Sequence, residues 1–344
     1  MGNPKTADGK QTPAITMARP TLVTADLHIS PNRRDAYRYT FLEQTLPQLL
    51  EEYSVSRIII CGDLTEAKSG HSAELVNRLV DALAALAERA PIYLLKGNHD
   101  YLSEDVPFFR YTQHLPRTRW INEPTQLKLR GLGSCLFLPH TRDLADWVDF
   151  MDGYDWFFCH QPFGGAVNET GAKLSGDPPP FSASARVVSG DIHGPQRVGP
   201  VTYVGAPYLI DAGDDYEPRV LLLEGVKMRS IPVPGPQKRL VVLRGRDEEY
   251  PKVAPGDVVK IRIEPPAGNQ TPRAEWRAQA RRWAEAAGVE LYAVEVIAPK
   301  AAPSRADRNR HRASDADLVR AYAKKMRKGK STISAGLQLM EKTS

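Results

Sequence analysis

Five short clusters of Asp, Asn and His side chains could bind metal ions. They are Asp26-Leu-His28, Gly62-Asp63, Gly97-Asn98-His99-Asp100, His160 and Gly190-Asp191-Ile192-His193, and they hold half of the chain's 8 histidines. Carboxylate, amide and imidazole groups are ligands that suit Mn, Fe, Zn or Mg ions. The residue types therefore indicate a site that binds divalent metal ions.

Each cluster also has an ordinary structural interpretation. Gly-Asp and Gly-Asn-His are typical of turns, and a histidine after an apolar strand, such as His160, often belongs to a core. All five clusters, however, directly follow apolar runs. In an α/β sheet, the groups beyond the carboxyl ends of the strands collect at one edge. A structural account would have to explain each cluster separately, so we favour one shared site.

The elements that position these clusters alternate in type over the first two thirds of the chain. Strands are predicted at Thr21–Ala25, Arg57–Cys61, Ile92–Leu95, Leu136–Leu138, Asp155–Cys159, Val187–Ser189 and Val201–Val204. Between them, periodic apolar residues predict helices over Ala36–Tyr53 and Ser72–Ala90. This alternation indicates βαβ units and a sheet that is covered on both faces.

In their order and spacing, the clusters resemble the calcineurin-like metallophosphoesterase family over about residues 20–225. The family's pattern is Asp-x-His, Gly-Asp, Gly-Asn-His-Asp/Glu, a lone His and Gly-His-x-His. The resemblance implies an α/β (α+β) fold with a two-layered β-sandwich flanked by helices. It also implies two divalent metal ions and the hydrolysis of phosphate esters.

The resemblance assigns a role to each matching residue. The first metal ion would be held by Asp26, His28 and His193, and the second by Asn98, His160 and Asp191, with Asp63 bridging both. Water activated by the two ions would supply the hydroxide nucleophile. His99 would contact the phosphate and act as general acid, a task that suits an imidazole with a pKa near ~6.5. Asp100 is a further catalytic candidate, which would either orient the His99 ring or cap the turn.

One position departs from the family pattern. Where the family usually has Gly-His-x-His, this chain has Gly190-Asp191-Ile192-His193. Asp191 exchanges a neutral nitrogen for a charged oxygen, so three aspartates would face the two ions. Because carboxylates suit hard cations, we expect Mn²⁺, with Mg²⁺ as the next choice, in preference to Zn²⁺. The alternative is a weakened or lost second metal site.

The sequence after the last cluster resembles one subgroup of this family. His193-Gly-Pro-Gln196, Tyr203-Val-Gly-Ala-Pro207 and Gly213-Asp214 resemble SbcD-type nucleases and their phage relatives. These are nuclease subunits that act on DNA ends with an SMC-like coiled-coil ATPase of the SbcC type. The resemblance implies a DNA exo- or endonuclease in recombination and repair, a small capping domain, a C-terminal segment that docks on the ATPase, and a possible homodimer.

Composition shifts divide the chain. We predict a disordered leader at 1–19, the phosphoesterase domain at 20–230 and an interdomain boundary in the Pro/Gly run 231–237. A small α+β domain, with strands at Leu240–Leu243, Asp257–Ile263 and Leu291–Ile297 and a helix at Arg273–Ala287, occupies 239–298. A basic linker follows at 299–313. A helical tail at 314–344 would dock on a partner, pack on its own domain or contact DNA.

Charge is distributed unevenly, with a net −7 in residues 1–226 and +12 in residues 227–344. Clustered basic residues neutralise phosphates and release counterions, which gives affinity for nucleic acids without sequence preference. The candidate DNA-binding residues are Arg273, Arg277, Arg281 and Arg282, interleaved with Trp276 and Trp283. Two alternatives remain: a merely solvated basic tail, and tryptophans that belong to a core.

Composition also limits the location and class of the protein. No stretch approaches the ~18 apolar residues of a membrane-spanning helix, and the N-terminal residues do not resemble a secretion signal. Three cysteines in apolar runs suggest buried thiols in the cytoplasm of a bacterium or a phage-infected host.

Besides the nuclease, two functions stay open. One is a stand-alone phosphatase or phosphodiesterase for nucleotides or phosphoproteins, and the other is a DNA-bound scaffold silenced by Asp191.

Overall fold

The computed structural model describes residues 19–103, 106–107, 109–150, 153–244, 248–265 and 271–297. The described residues divide into two compact units. The first takes in residues up to Val241 together with Tyr250–Ile261 and Gln279–Val294. The second takes in Val242–Glu249, Arg262–Ala278 and the described residues from Glu295.

The helices and strands alternate along the chain as follows. The helices are α1 (Ala36–Thr40), α2 (Leu46–Glu52), α3 (Ala73–Arg89) and α4 (Arg273–Ala287), and a π-helical turn at Phe41–Thr45 joins α1 to α2. Short 3₁₀ helices span Arg33–Asp35, Arg110–His114 and Leu144–Phe150. The strands are β1 Thr21–Thr24, β2 Arg57–Cys61, β3 Ile92–Leu95, β4 Tyr101–Ser103, β5 Val106–Pro107, β6 Thr118–Ile121, β7 Thr125–Leu129, β8 Gly133–Leu138, β9 Trp156–His160, β10 Val187–Gly190, β11 Gln196–Val198, β12 Val201–Tyr203, β13 Arg219–Glu224, β14 Lys227–Pro232, β15 Lys238–Leu243, β16 Val258–Ile263 and β17 Glu290–Val296.

Two six-stranded sheets organise the described part of the first unit. Their strand orders are β14-β13-β1-β2-β3-β6 and β11-β12-β10-β9-β8-β7. Strands β1, β2, β3 and β6 are parallel, as are β8, β9, β10 and β12. Antiparallel strands lie at both edges of the second sheet and at one edge of the first. Each sheet therefore directs the carboxyl ends of several central strands to one side.

Alternating residues of the central strands explain the layering. In β2, Ile58 and Ile60 pack in a cluster with α2 and α3, whereas Ile59 and Cys61 pack in the cluster between the sheets. In β9, Trp156 and Phe158 join that inter-sheet cluster. Because successive strand residues point to opposite faces, each sheet has one face against its partner sheet and one against helices or loops. The predicted two-layered β-sandwich flanked by helices is confirmed.

Helix α3 follows the pattern of its sequence. Ser72 caps its first turn, since the Ser72 hydroxyl accepts a hydrogen bond from the Leu75 N–H at 3.2 Å. Leu75, Leu79, Leu83 and Leu86 are buried on the face that packs on the first sheet. The predicted helix at 72–90 is thus confirmed to within one residue at each end.

Several elements escaped the sequence analysis. The pattern indicated βαβ units and a sheet covered on both faces, but it left open what covers each face. A second sheet covers the inner face, as the family resemblance implied. Strands β6, β7, β13 and β14 were not predicted, although β13 pairs directly with β1. They fill positions at or beside the sheet edges. In β7 and β14, exposed polar residues weaken the signal of a strand. Strand β13, in contrast, has a continuous apolar run at Val220–Leu223 that was overlooked.

The C-terminal third contains a further sheet, with strand order β15-β16-β17, and the helix α4. These elements match the predicted strand–strand–helix–strand order of residues 239–298. The division into compact units does not follow the Pro/Gly run at 231–237, and the predicted domain boundaries stay a prediction. The predicted leader (all but its last residue), linker and tail lie outside the described residues.

Candidate metal centre

All five Asp, Asn and His clusters meet at the carboxyl ends of the parallel strands. Asp26 follows β1, Asp63 follows β2 and Asn98 follows β3, all in the first sheet, while His160 ends β9 and Asp191 follows β10 in the second. The predicted convergence is therefore observed. It takes place between two sheets rather than along the edge of one.

Asp63 lies between two histidines that come from different strands. Its Oδ2 is 3.4 Å from His28 Nε2, and its Oδ1 is 3.4 Å from His160 Nε2. Each oxygen of this carboxylate thus faces a separate nitrogen ligand. Such an arrangement fits a carboxylate that bridges two cations.

Three overlapping groups of potential ligands lie around Asp63, and one of them joins His28, Glu66 and His99. The ligand atoms of Asp26, His28 and His193 lie within 4.8 Å of one another, as do those of Asp26, Asp63 and His160. His28 Nε2 and His193 Nε2 are 3.1 Å apart. Two imidazole nitrogens at this distance can share one proton, or they can both be ligands of one cation.

The donor atoms in this cluster fit a pair of metal ions. Among the described residues, Asp26 Oδ2, Asn98 Oδ1 and His160 Nε2 are buried without a hydrogen-bond partner. Buried polar atoms are normally paired, so these three call for a ligand. His160 Nδ1 lies 2.6 Å from the Cys61 carbonyl oxygen. Since a carbonyl can only accept, Nδ1 carries the proton and the Nε2 lone pair is left for a metal.

Asp191, the departure from the family pattern, lies beside the group formed by Asp26, Asp63 and His160. Its Oδ1 is 3.6 Å from His160 Nε2, and its backbone N–H donates to Asp26 Oδ1 at 3.0 Å. Asp191 is therefore placed where a carboxylate could complete the second metal site together with Asn98 and His160.

Electrostatics among the carboxylates also favour bound cations. Burial, with Asp63 and Asp191 nearby, raises the pKa of Asp26 well above its usual value. Burial, Asp63 and Glu169 raise the pKa of Asp191 to about 6. Burial alone would raise the pKa of Asp63 as well, but His160 and His28 outweigh it and lower that pKa. Divalent cations would stabilise all three carboxylates in their ionised form.

The backbone is unusual at four of the candidate ligands. Asp26, His28, Asp63 and Asp191 have φ values of 55°, 43°, 56° and 79°. Residues other than glycine rarely occupy this left-handed region, and each such residue costs of the order of 1–3 kcal/mol. Strain that is concentrated at one cluster indicates a functional site.

Glycines beside the ligands permit the close approach of the loops. A Cβ on Gly62 would lie 2.2 Å from His160 Nδ1, and one on Gly97 would lie 2.2 Å from Asp63 Oδ1. A Cβ on Gly190 would lie 2.3 Å from the Cys61 carbonyl oxygen. The glycines of these three motifs are therefore required by packing around Asp63 and His160.

The half-buried His99 is anchored at two points. Its backbone N–H donates to Asp63 Oδ1 at 2.8 Å, and its ring Nδ1 is 2.7 Å from the Glu66 carbonyl oxygen. Because that carbonyl can only accept, Nδ1 carries a proton and Nε2 is the nitrogen left to face a substrate. This geometry suits the general-acid role expected for His99.

The contacts of Asp100 distinguish between the two roles expected for it. Its carboxylate accepts hydrogen bonds from the backbone N–H groups of Asp63 (2.8 Å), Gly97 (2.7 Å) and Leu64 (3.0 Å). It therefore ties the two loops after β2 and β3 together, and both of its oxygens are engaged in this role. Of the two roles considered, capping the turn is the one observed, so Asp100 is a positioning residue rather than a catalytic one.

Arg38, which was not predicted as a site residue, supports the site from α1. Its buried guanidinium donates to the His28 carbonyl and, at 2.9 Å, to Glu66 Oε2, which is 3.6 Å from His28 Nδ1. No signal pointed to Arg38, because an arginine in an amphipathic helix normally faces solvent.

The candidate DNA-binding arginines lie on α4. Arg273, Arg277, Arg281 and Arg282 are all exposed. Of the interleaved tryptophans, Trp276 is buried and Trp283 stacks on Tyr250 with ring centroids 4.5 Å apart. Trp276 is thus a core residue, as one of the two interpretations held.

In the part of the chain that the structure describes, no helix is both long and apolar enough to cross a membrane.

Comparison with known proteins adds three findings. A family model described as calcineurin-like phosphoesterase matches residues 19–195, just over half of the chain. The UDP-2,3-diacylglucosamine hydrolase of Shewanella pealeana is 38% identical over 84 residues, and that of Shewanella piezotolerans is 36% identical over 86 residues. Each match covers 24% of this chain and 34% of the relative, so it spans only about a third of these curated proteins. Among solved structures, the nuclease MPE of Pseudomonas putida is similar with a TM-score of 0.34 and 17% identity, covering 61% of this chain and 87% of that one.

Proposed function

Because this chain belongs to the calcineurin-like phosphoesterase family, and is thus a metal-dependent phosphoester hydrolase, we propose that it is a two-metal phosphodiesterase whose substrate is DNA. The observation that carries the two-metal assignment is Asp63, whose two oxygens each lie 3.4 Å from a different histidine nitrogen. A single cation would need only one of these contacts.

The side chains around Asp63 have separate tasks in this proposal. When bound, two divalent cations would polarise the phosphate and supply the nucleophile. Asp26, His28 and His193 would hold one cation, and Asn98, His160 and Asp191 the other. His99 already carries a proton on Nδ1, which faces the Glu66 carbonyl. A second proton on Nε2 would make the imidazolium that protonates the leaving oxygen.

Charge supports a nucleic-acid substrate. Exposed Arg273, Arg277 and Arg281 follow one another at intervals of four residues on α4, a spacing that places them on one face of a helix. Residues 227–344 carry a net charge of +12. A small-molecule hydrolase needs neither feature, whereas contacts to several phosphates give an enzyme its affinity for DNA.

We further propose the SbcD-like arrangement, in which this nuclease works with an SMC-like ATPase in recombination or repair. Its support is the sequence resemblance at His193-Gly-Pro-Gln196 and Tyr203–Pro207 and the predicted helical tail at 314–344. A homodimer belongs to the same proposal. Size-exclusion chromatography coupled to light scattering would test the homodimer, and co-purification with the ATPase would test the partnership.

A second candidate substrate is a sugar nucleotide. The observation in its favour is the local match with two UDP-2,3-diacylglucosamine hydrolases at 38% and 36% identity. The same cluster of ligands could hydrolyse such a substrate, since a phosphate bonded to an oxygen leaving group is the reacting centre in both cases.

One set of assays separates these functions. Metal-loaded protein would be incubated with linear DNA, bis(p-nitrophenyl) phosphate, p-nitrophenyl phosphate and UDP-2,3-diacylglucosamine, in parallel with the Asp63→Ala variant. DNA degradation that is absent in the variant supports the nuclease. Turnover of the sugar nucleotide or the monoester, without DNA degradation, would instead favour a small-molecule hydrolase. Inactivity on every substrate would favour the scaffold.

A further inference from the structure

The two sides of the metal centre carry opposite charge. Beside His160 lies a group that we call the basic flank, formed by Lys68, Lys96, Tyr101, His140 and Arg142. Beside His193 lies a group that we call the acidic flank, formed by Glu169, Asp214 and Asp215. No residue of either flank belongs to the three groups of potential metal ligands.

Contacts between loops hold the basic flank against the second metal site. The His140 ring centroid is 6.2 Å from that of His160, and Tyr101 Oη is 2.8 Å from His140 Nδ1. The backbone N–H of His140 donates to the Lys96 carbonyl at 2.9 Å, which joins the ends of β8 and β3. His140 therefore lies between His160 on one side and Tyr101 on the other.

Cations surround the Tyr101 ring of the basic flank. Lys96 Nζ is 4.2 Å and Arg142 Cζ is 5.5 Å from its centroid. Arg142 is exposed, and its guanidinium donates to the Leu102 carbonyl at 3.2 Å. Lys68 is also exposed and, after burial, is one of the neighbouring charges that lower the pKa of His140. Lys96 and Arg142 thus lie against Tyr101, which contacts His140, the neighbour of His160.

The acidic flank lines a cleft of 390 Å³. Glu169 Oε1 lies 3.6 Å from His193 Nδ1, so the cleft begins directly at the first metal site. Asp214 and Asp215 line the same cleft. A phosphate in this cleft would face like charges, whereas one on the basic flank would face opposite charges.

We propose that the basic flank is a subsite for a second phosphate, the backbone phosphate that neighbours the scissile one in a nucleic-acid substrate. This inference rests on the proposed DNA substrate. Arg142 and Lys68 would bind the second phosphate by charge-assisted hydrogen bonds, which are the stronger kind. The acidic flank would repel a phosphate on the opposite side, so the substrate chain would extend from the metal centre in one direction only.

Thymidine dinucleotides test the subsite, because they can carry the second phosphate on either side or lack it. The kcat/KM of the full chain in Mn²⁺ would be measured for pTpT, TpTp and TpT, with bis(p-nitrophenyl) phosphate as a reference. We expect one of the two phosphorylated dinucleotides to be preferred over TpT. Arg142→Ala should reduce that preference roughly tenfold, the value of one charge-assisted hydrogen bond, and Arg142→Lys should restore part of it.

Two further variants complete the test, one as a control and one that changes the acidic flank. Arg130→Ala removes the same charge from the turn between β7 and β8, at the opposite end of β8 from His140, and should leave the preference as in the wild type. Asp215→Asn removes a repelling charge and should improve the use of the disfavoured dinucleotide severalfold.

The outcomes separate the subsite from the function on which it rests. A wild type that hydrolyses pTpT, TpTp and TpT equally well would overturn the subsite alone. A preference that Arg142→Ala leaves intact would overturn it too, because a general loss of activity cancels in the ratio of the two substrates. Absence of turnover on DNA, the dinucleotides and bis(p-nitrophenyl) phosphate would defeat the proposed function, and the subsite with it.

Discussion

His160 Nδ1 and the Cys61 carbonyl oxygen are 2.6 Å apart, and this contact joins the two sheets at the centre of the candidate site. His160 ends β9 in the second sheet, while Cys61 ends β2 in the first. The sheet contact thus fixes the orientation of a candidate metal ligand. The geometry of the site therefore depends on how the two sheets pack. Substitutions at the site should accordingly affect stability as well as activity.

Replacing the bridging carboxylate should abolish activity without unfolding the protein. Asp63→Asn removes the charge that faces His28 and His160, and loss of several kcal/mol of charge stabilisation lowers kcat at least about a hundredfold. Hydrolysis of bis(p-nitrophenyl) phosphate and the bound metal content would be measured. Asp81→Asn, at an exposed position on α3, is the matched control and should behave as the wild type. Full activity in Asp63→Asn would contradict the two-metal assignment.

A methyl group at Gly97 should disrupt the site. The new Cβ would lie 2.2 Å from Asp63 Oδ1 and 2.4 Å from the Asp63 backbone nitrogen, so the loop must shift. We expect Gly97→Ala to lose metal affinity and about 1–3 kcal/mol of stability, measured by calorimetry and urea denaturation. At Gly213, a Cβ would meet none of the described atoms within 4 Å, so Gly213→Ala should have little effect. Equal behaviour of the two variants would refute the packing explanation.

Removal of the Asp100 carboxylate should lower stability. Asp100→Ala leaves the buried N–H groups of Asp63, Gly97 and Leu64 without their acceptor, and each unsatisfied donor costs about 1–3 kcal/mol. Urea denaturation should show a loss of at least about 3 kcal/mol. The pH dependence of the residual kcat should keep its position, because Asp100 acts on the loops. A displaced pH profile would show that Asp100 acts on the His99 ring after all.

Metal preference should follow the carboxylate at position 191. Protein stripped of metal and reloaded should be more active with Mn²⁺ or Mg²⁺ than with Zn²⁺, because Asp191 supplies a hard oxygen ligand. Asp191→His exchanges that oxygen for a nitrogen and should shift the ratio of Mn²⁺ to Zn²⁺ activity towards Zn²⁺. Strong zinc activity of the wild type, with none in manganese, would reject the expectation.

The buried pair Asp35–Lys238 should make stability depend on acid pH. Burial alone would raise the pKa of Asp35, but Arg38 and Lys238 outweigh it and lower that pKa. Lys238 Nζ donates to Asp35 Oδ1 at 3.1 Å. Since the folded pKa is depressed, the stabilisation is complete above the unfolded value of about 3.9 and is lost as the pH falls through the folded value.

The variant Asp35→Asn isolates this contribution. At pH 7 it should be less stable than the wild type by about 3 kcal/mol, because Lys238 stays buried without its partner. Urea denaturation at pH 7 and near pH 3 should show the gap between the two proteins narrowing on acidification. A gap that is the same at both pH values would exclude Asp35 as its source.

Much of the site could be predicted from the sequence because its ligands come directly after strands. Asp26, Asp63, Asn98 and His160 each mark the end of a continuous apolar run, and both the runs and the side chains are local signals. The supporting residues Arg38 and Asp100 could not be assigned in this way. Apart from Gly97, which is three residues from Asp100, the backbone partners described above lie 10 residues from Arg38 and 36 or 37 residues from Asp100, and only the fold brings them near.

The layering of the fold was harder to predict from local patterns. A buried β2 strand has the same apolar run whether a helix or a second sheet covers its inner face. The pairing of β1 with β13 joins residues about 200 positions apart, and no local periodicity encodes it. The family resemblance supplied the sandwich that residue patterns left open.

The contact between His160 and Cys61 makes use of a main-chain oxygen, so the sulfur at position 61 takes no part in it. Cys135 and Cys159 are likewise buried, and neither belongs to the groups of potential metal ligands. A thiol-free version of the enzyme, made by replacing all three with alanine or valine, should therefore keep its catalytic apparatus. A single cysteine introduced at a surface position, for example by Arg130→Cys, would then be the one site for a thiol-reactive dye. The dye would allow separation of the two sheets to be followed in solution.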